Sequence, residues 1–265
     1  MPKISAADGT KLYVEEVGAG TPVVFVHEYA GDYRSFEPQL RHFCRRYRCV
    51  SYSQRGYPPS DVPPEAARYS QDIARDDVIA VMDALSIDKA HIVGHSMGAY
   101  TALRIFDADV QREAMRALAA ETGKMFAEEG IAAAAAKYAD APMRQAFKHK
   151  DPRGFAEFAR MLSEHSAEGH AQTMLNLQLK RPTLWDMEAQ LKKFSLPLLV
   201  IVGDEDDLCL DGSVFLKRTV PTAALLVVPR AGHTINSEEP AAFNAALAEL
   251  FAAVDAGRWM AHKGA

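Results

Sequence analysis

The chain is 265 residues long and 48% hydrophobic, enough to bury one full core with a small insertion and no second domain. Thirty basic side chains against 35 acidic ones leave a formal net charge of −5, so there is no basic field to hold nucleic acid or an anionic membrane. Cys44, Cys49 and Cys209 show no framework spacing, and Met1-Pro2-Lys3-Ile4-Ser5-Ala6 lacks the apolar core of a signal peptide, which predicts a reducing cytoplasm. No apolar run approaches bilayer length, and scattered histidines without cysteine or carboxylate at ligand spacing predict no metal and no cofactor.

In chain order, Lys3–Ser5 and Lys11–Glu16 read as two strands joined at Asp8-Gly9, and Val23–Val26 as a central buried strand. Arg34–Phe43 has helical spacing and Cys49–Ser53 strand composition, followed by Gln54-Arg55-Gly56-Tyr57-Pro58-Pro59-Ser60-Asp61, a turn-rich loop of the kind that rims a cleft. Ser70 is an N-cap for a helix through Leu85, with Ile73, Val81, Ala84 and Leu85 on its apolar face. Alternation of this sort predicts a doubly wound, mostly parallel α/β sheet.

The next strand, Ala90-His91-Ile92-Val93, ends in Gly94-His95-Ser96-Met97-Gly98 and runs into helical sequence. A serine two residues from a glycine on either side, between strand and helix, suits a sharp turn that lifts its hydroxyl clear of the sheet. From 108 to 189 only helices are predicted: Gln111–Glu129, Ala132–Ala136 leading to Tyr138, Gly154–His165, Gly169–Lys180 and Asp186–Lys193. Tyr138, Phe147 and Trp185 in this stretch are candidate substrate contacts, against the commoner reading of helix-spaced aromatics as core. His149, His165 and His170 read as solvated surface residues.

Two further apolar β-branched runs follow. Leu198–Val202 ends in Gly203-Asp204-Glu205-Asp206-Asp207, and Ala224–Val228 leads through Pro229-Arg230-Ala231 to Gly232-His233. A helix from Pro240 to Ala253 and a loose tail from Arg258 close the chain. Serine, carboxylate and histidine thus come in that order, each after a predicted strand, where open α/β sheets gather their catalytic groups.

This pattern resembles the α/β-hydrolase superfamily, on the serine-nucleophile, esterase- and lactonase-like side. The resemblance implies a core of 1–107 and 190–265 with a helical cap at 108–189. It implies Ser96 as nucleophile, His233 as base and Asp206, three residues past the strand-terminal glycine, as the orienting acid ahead of Asp207 and Asp204. The oxyanion would be held by the backbone amides of Met97 and Tyr29, the latter in Val26-His27-Glu28-Tyr29-Ala30-Gly31, where Glu28 replaces the family's usual glycine. That makes Glu28 a possible substrate contact: it turns to a partner such as Arg55, stays protonated in a buried place, meets a polarised part of the substrate, or points into solvent. His27 is expected to brace its loop.

The implied activity is hydrolysis of a small carboxylic ester or lactone, without cofactor, metal, nucleic acid or membrane partner. Thioester or C–C bond hydrolysis with the same three side chains, and a ligand receptor with little turnover, are the alternatives. One feature departs from the family: no strand-like run follows the elbow helix between Phe106 and Met125. The sheet lacks the strand, the cap entry is shortened, or a segment has been omitted; an omitted segment is the expectation, because an interior parallel strand is hard to forgo.

Overall fold

The computed structural model describes residues 3–104 and 114–261, which divide into two compact units. One holds 3–104, 114–139 and 158–181, the other 140–157 and 182–261. No helix among the described residues is long and apolar enough to cross a membrane.

The first unit is built on strands β1 (Lys3–Ser5), β2 (Lys11–Val17), β3 (Thr21–Val26), β4 (Tyr47–Tyr52) and β5 (His91–Gly94), in spatial order β1-β2-β4-β3-β5. The β1–β2 hairpin is antiparallel and turns at Asp8-Gly9, where Gly9 takes φ 86° and Asp8 accepts the Thr10 amide at 3.0 Å. β3 pairs in parallel with β4 and β5, in the register Val24↔Val50 and Val24↔Ile92. Strands buried on both faces read as continuous apolar runs, and Val23, Val24, Phe25 and Val26 are accordingly all buried.

Two helices cover these strands, α1 (Glu37–Phe43) and α2 (Gln71–Ala84). α1 begins later than its spacing predicts, because Asp32 and Ser35 close a turn ahead of it, the Ser35 hydroxyl accepting the Asp32 amide at 2.9 Å. Ser70 caps α2 as expected, its hydroxyl accepting the Ile73 amide at 3.2 Å. Of the predicted stripe on α2, Val81 is buried and Ile73 and Leu85 half-buried, whereas Ala84 is exposed and Ala74 and Val78 complete the buried face. Val78 and Val81 join Leu12, Val14, Val24, Val26, Val50 and Tyr52 in one apolar cluster.

After β5 comes α3 (Met97–Arg104), then α4 (Ala114–Ala139), broken at Gly130, which takes φ 76°. The predicted break between the helix ending at Glu129 and the alanine run falls there. Next are α5 (Gln145–Lys150), α6 (Pro152–Ser163) and α7 (Ala167–Gln172), which continues as a π-helix over Thr173–Gln178. Of the stretch between Phe106 and Met125, where the sequence offers no strand-like run, 106–113 lie outside the described residues, and the chain is helical from Ala114. Among the described residues β5 pairs with β3 alone.

The second unit carries a separate parallel pair, β6 (Leu198–Gly203) and β7 (Ala223–Val228), in register Leu198↔Ala223 through Gly203↔Val228. Around it lie α8 (Glu188–Leu191), α9 (Asp207–Thr219), α10 (Ile235–Glu238) and α11 (Pro240–Asp255). Parallel strand pairs with flanking helices in each unit make the fold class α/β, as the alternation of strands and helices along the sequence predicts.

Candidate active site

Ser96 sits in the turn between β5 and α3 with φ 50°, a left-handed conformation that a residue with a side chain adopts only under constraint. Close packing supplies the constraint. A Cβ on Gly98 would lie 2.0 Å from the Val26 carbonyl oxygen, and one on Gly94 would lie 2.3 Å from the Gly98 oxygen. Only glycine at both positions lets the helix rise this close to β3. The His95 amide donates to the Val26 oxygen at 3.0 Å, and the Ser96 carbonyl accepts the Tyr100 amide at 3.0 Å. Ser96 therefore precedes a helix whose first amides are those of Met97 and Gly98, where the helix dipole favours negative charge.

The loop after β3 lies in the same unit. His27 is fully buried; its Nδ1–H donates to the Glu28 oxygen at 2.6 Å and its Nε2 accepts the Gln54 amide at 2.9 Å, which fixes the tautomer. Burial lowers its pKa to about 4, so it braces the loop as a neutral ring. Tyr29 is 2% exposed, packed edge-on to Tyr138 and Phe126 and donating its hydroxyl to the His170 carbonyl at 3.0 Å. Tyr29, Met97, Tyr57, Phe126, Ala134, Met174 and their neighbours form one apolar cluster, with half-buried Tyr138 against it.

Glu28 corrects two of the expectations raised for it. It is 2% exposed, so it does not point into solvent. Its partner is not Arg55, whose guanidinium is held by Asp77 at 2.7 Å and by Asp8 at 2.7 Å. Instead Glu28 Oε1 lies 3.9 Å from His95 Nδ1, next to the elbow serine in sequence.

His165 and His170 are buried, not solvated. Asp32 accepts His165 Nε2–H at 3.2 Å, and His165 Nδ1 and His170 Nε2 share a hydrogen bond of 3.0 Å. Asp32 also holds Arg34, and burial of its carboxyl is outweighed by these donors, so its pKa falls below the usual range. His170 stacks on Phe126, and burial keeps it neutral. His149 is exposed, as expected.

In the second unit the Asp206 and His233 side chains meet. Asp206 stands at the N-terminus of α9 but does not cap it; its Oδ2 accepts from His233 Nδ1 at 2.7 Å. Both are buried, whereas Asp204, Glu205 and Asp207 are exposed. Burial pulls the His233 imidazole toward neutrality, but the bonds to Asp206 and Cys209 outweigh it and raise its pKa above the ordinary 6.5.

The loop carrying His233 is tied down from the segment 140–157. The His233 amide donates to the Met143 oxygen at 3.0 Å, and fully buried Arg144 donates to the Thr234 hydroxyl at 2.7 Å. Glu238 Oε2 accepts the Gly232 amide at 2.9 Å, while its other oxygen lies 3.0 Å from Lys150. Phe147 is buried edge-on to Phe155, and Trp185 is half exposed, lying on Phe215 of α9.

Sequence reading missed Cys209, whose Sγ is 3.7 Å from His233 Nδ1. Asp206, Cys209 and His233 thus offer three ligand atoms within 4.8 Å of one another, although no ligand spacing joins them along the chain. The only local signal was Asp206-x-x-Cys209, a first-turn helical spacing. Arg144 and Glu238, which hold the histidine loop, carried no motif at all.

Residues 23–246 match the alpha/beta hydrolase family, and the chain belongs to it. Among curated relatives, it is 27% identical to an AB hydrolase superfamily protein, YisY, of Bacillus subtilis, over 93% of this chain and 97% of that one. It is also 27% identical to 3-oxoadipate enol-lactonase 1 of Acinetobacter baylyi, over 83% of this chain and 85% of that one. Among solved structures, a thermophilic esterase from Thermogutta terrifontis superposes with a TM-score of 0.83 at 23% identity, covering 96% of this chain and 98% of that one.

Proposed function

We propose that the protein hydrolyses a small carboxylic ester or lactone through an acyl-enzyme on Ser96, with His233 as general base and Asp206 as its orienting acid. The observation that carries this reading is the left-handed backbone of Ser96 at a glycine-bounded turn between strand and helix. A strained residue held by its surroundings is a functional signal, and a serine in this setting is a nucleophile elbow. The paired Asp206 and His233 and the esterase and enol-lactonase named among the relatives support it.

His233 takes the Ser96 proton as the hydroxyl attacks the acyl carbon, and the carbonyl π electrons move onto oxygen. The Tyr29 and Met97 amides receive that oxyanion. Collapse expels the alcohol, or opens the lactone, with the proton returned through His233; water then repeats the sequence to free the acid and Ser96. Asp206 holds the imidazole with its hydrogen on Nδ1, leaving Nε2 to accept, and raises its basicity. In this reading 108–189 are the helical cap, 1–107 with 190–265 are the hydrolase core, and Glu28, Tyr138, Phe147 and Trp185 are the substrate contacts.

A fluorophosphonate probe tests the proposal. It is expected to label Ser96, and Ser96→Ala is expected to lower turnover on an ester and lactone panel by about 10⁵–10⁶. Labelling of a different serine, or an alanine variant that keeps its rate, overturns it.

A further inference from the structure

Asp206 and Cys209 stand three residues apart at the start of α9, so their side chains leave the same face of its first turn. Both reach the same ring nitrogen: His233 Nδ1 lies 2.7 Å from Asp206 Oδ2 and 3.7 Å from Cys209 Sγ. An oxygen, a nitrogen and a sulfur converging within 4.8 Å are the donor set of a three-ligand zinc site. A tetrahedral zinc with bonds of about 2.0 Å to nitrogen and oxygen and 2.3 Å to sulfur sets its ligand atoms about 3.3–3.6 Å apart. The sulfur–nitrogen separation of 3.7 Å is already near that value, the carboxylate oxygen would withdraw from the nitrogen by about 0.6 Å, and oxygen and sulfur lie within 4.8 Å of each other. Cys209 is a free, half-buried thiol, and exposed Asp204, Glu205 and Asp207 beside it give the approach a negative field.

We propose that Asp206, Cys209 and His233 form a zinc-binding trap whose occupation silences the hydrolase. Binding needs only these side chains; the silencing rests on the role given to His233 above. Zinc takes the place of the thiol hydrogen, which is released as a proton, and of the Nδ1 hydrogen, which passes through solvent to Nε2. The imidazole bound through Nδ1 is then neutral and carries its one hydrogen on Nε2. That is the nitrogen that must accept the serine proton, so the metal locks the ring in the unproductive tautomer. The carboxylate that should orient the histidine becomes a ligand at the same time. Water, or the second oxygen of Asp206, completes the four positions.

The full chain is dialysed against zinc chloride and, in parallel, titrated with cobalt(II), whose spectrum reports sulfur ligation. Wild type is expected to retain about one zinc more per chain than Cys209→Ser, to bind at least about tenfold more tightly, and to give a thiolate-to-cobalt charge-transfer band that the variant lacks. Fluorophosphonate labelling of the wild type should slow on zinc addition and recover with a chelator, each protein being compared with its own metal-free rate. Equal retention by wild type and Cys209→Ser, or a cobalt spectrum without the thiolate band, overturns the site. Labelling unchanged by bound zinc overturns the silencing. A chain that binds zinc with these signatures yet never labels overturns the hydrolase reading and leaves the metal site standing.

Discussion

Glu238 accepts the Gly232 amide at 2.9 Å and so fixes, from one residue away, the backbone that presents His233. Its carboxyl is wholly buried and its second oxygen meets Lys150 at 3.0 Å, so one side chain ties the histidine loop to α5. Glu238→Gln keeps an oxygen for Gly232 and is expected to cost about 1 kcal/mol, whereas Glu238→Ala strands a buried amide and an ammonium and is expected to cost about 3 kcal/mol. Urea unfolding of the two variants checks the ranking. Turnover should fall with the same order, because a loosened loop misplaces the imidazole.

Asp206, not Asp207, is expected to orient His233. Asp206→Asn should lower turnover by on the order of 10⁴, since the amide can present hydrogen to Nδ1 and reverse the tautomer. Asp207 is exposed in the first turn of α9, and Asp207→Asn should leave the rate within a few-fold. The reverse ranking on one ester substrate would transfer the role to Asp207.

Gly98→Ala should disable the elbow through the backbone. The new Cβ would sit 2.0 Å from the oxygen of Val26, in a central strand that cannot withdraw. A loss of about 3 kcal/mol or more is expected, as for strained overpacking, together with loss of fluorophosphonate labelling. A variant with wild-type unfolding midpoint would show that α3 does not need this approach.

Stability is expected to fall on mild acidification through buried histidines. His27 has a folded pKa of about 4 against an ordinary 6.5. A lowered value means that the unfolded chain takes up the proton first, so stability is lost as pH falls from 6.5 to about 4. At about 1.4 kcal/mol per unit, His27 alone accounts for on the order of 3 kcal/mol. His170, also held neutral by burial, acts in the same direction. His27→Gln, with an amide in place of a titrating ring, should give a flatter dependence of urea midpoint on pH across that window.

Glu28→Gln tests whether the buried carboxyl beside His95 takes part in selection. With Glu28 Oε1 3.9 Å from His95 Nδ1 and the Tyr29 amide adjacent in sequence, a shift of preference among neutral and anionic esters is expected, with a changed pH profile. An unchanged profile across the panel would assign Glu28 a structural part only.

What the sequence determined by itself is what short-range sterics and periodicity decide. The β1–β2 hairpin, the Ser70 cap, the break near Glu129 and the elbow follow from glycine at turns, a hydroxyl at an N-cap and apolar runs of strand length, each settled within a few residues. The order of Ser96, Asp206 and His233 was legible for the same reason: each follows its own strand. Tertiary structure decided the rest. His165 reads as a surface residue until Asp32, 133 positions earlier, is brought to its ring. Glu28 could turn several ways until burial and the capture of Arg55 by Asp77 and Asp8 left it beside His95. Arg144, 90 residues from Thr234, and Cys209, 24 from His233, have no pattern along the chain that marks them. Whether a polar side chain is solvated, paired or poised depends on what the fold packs against it, and a desolvated group takes whichever partner offsets its burial.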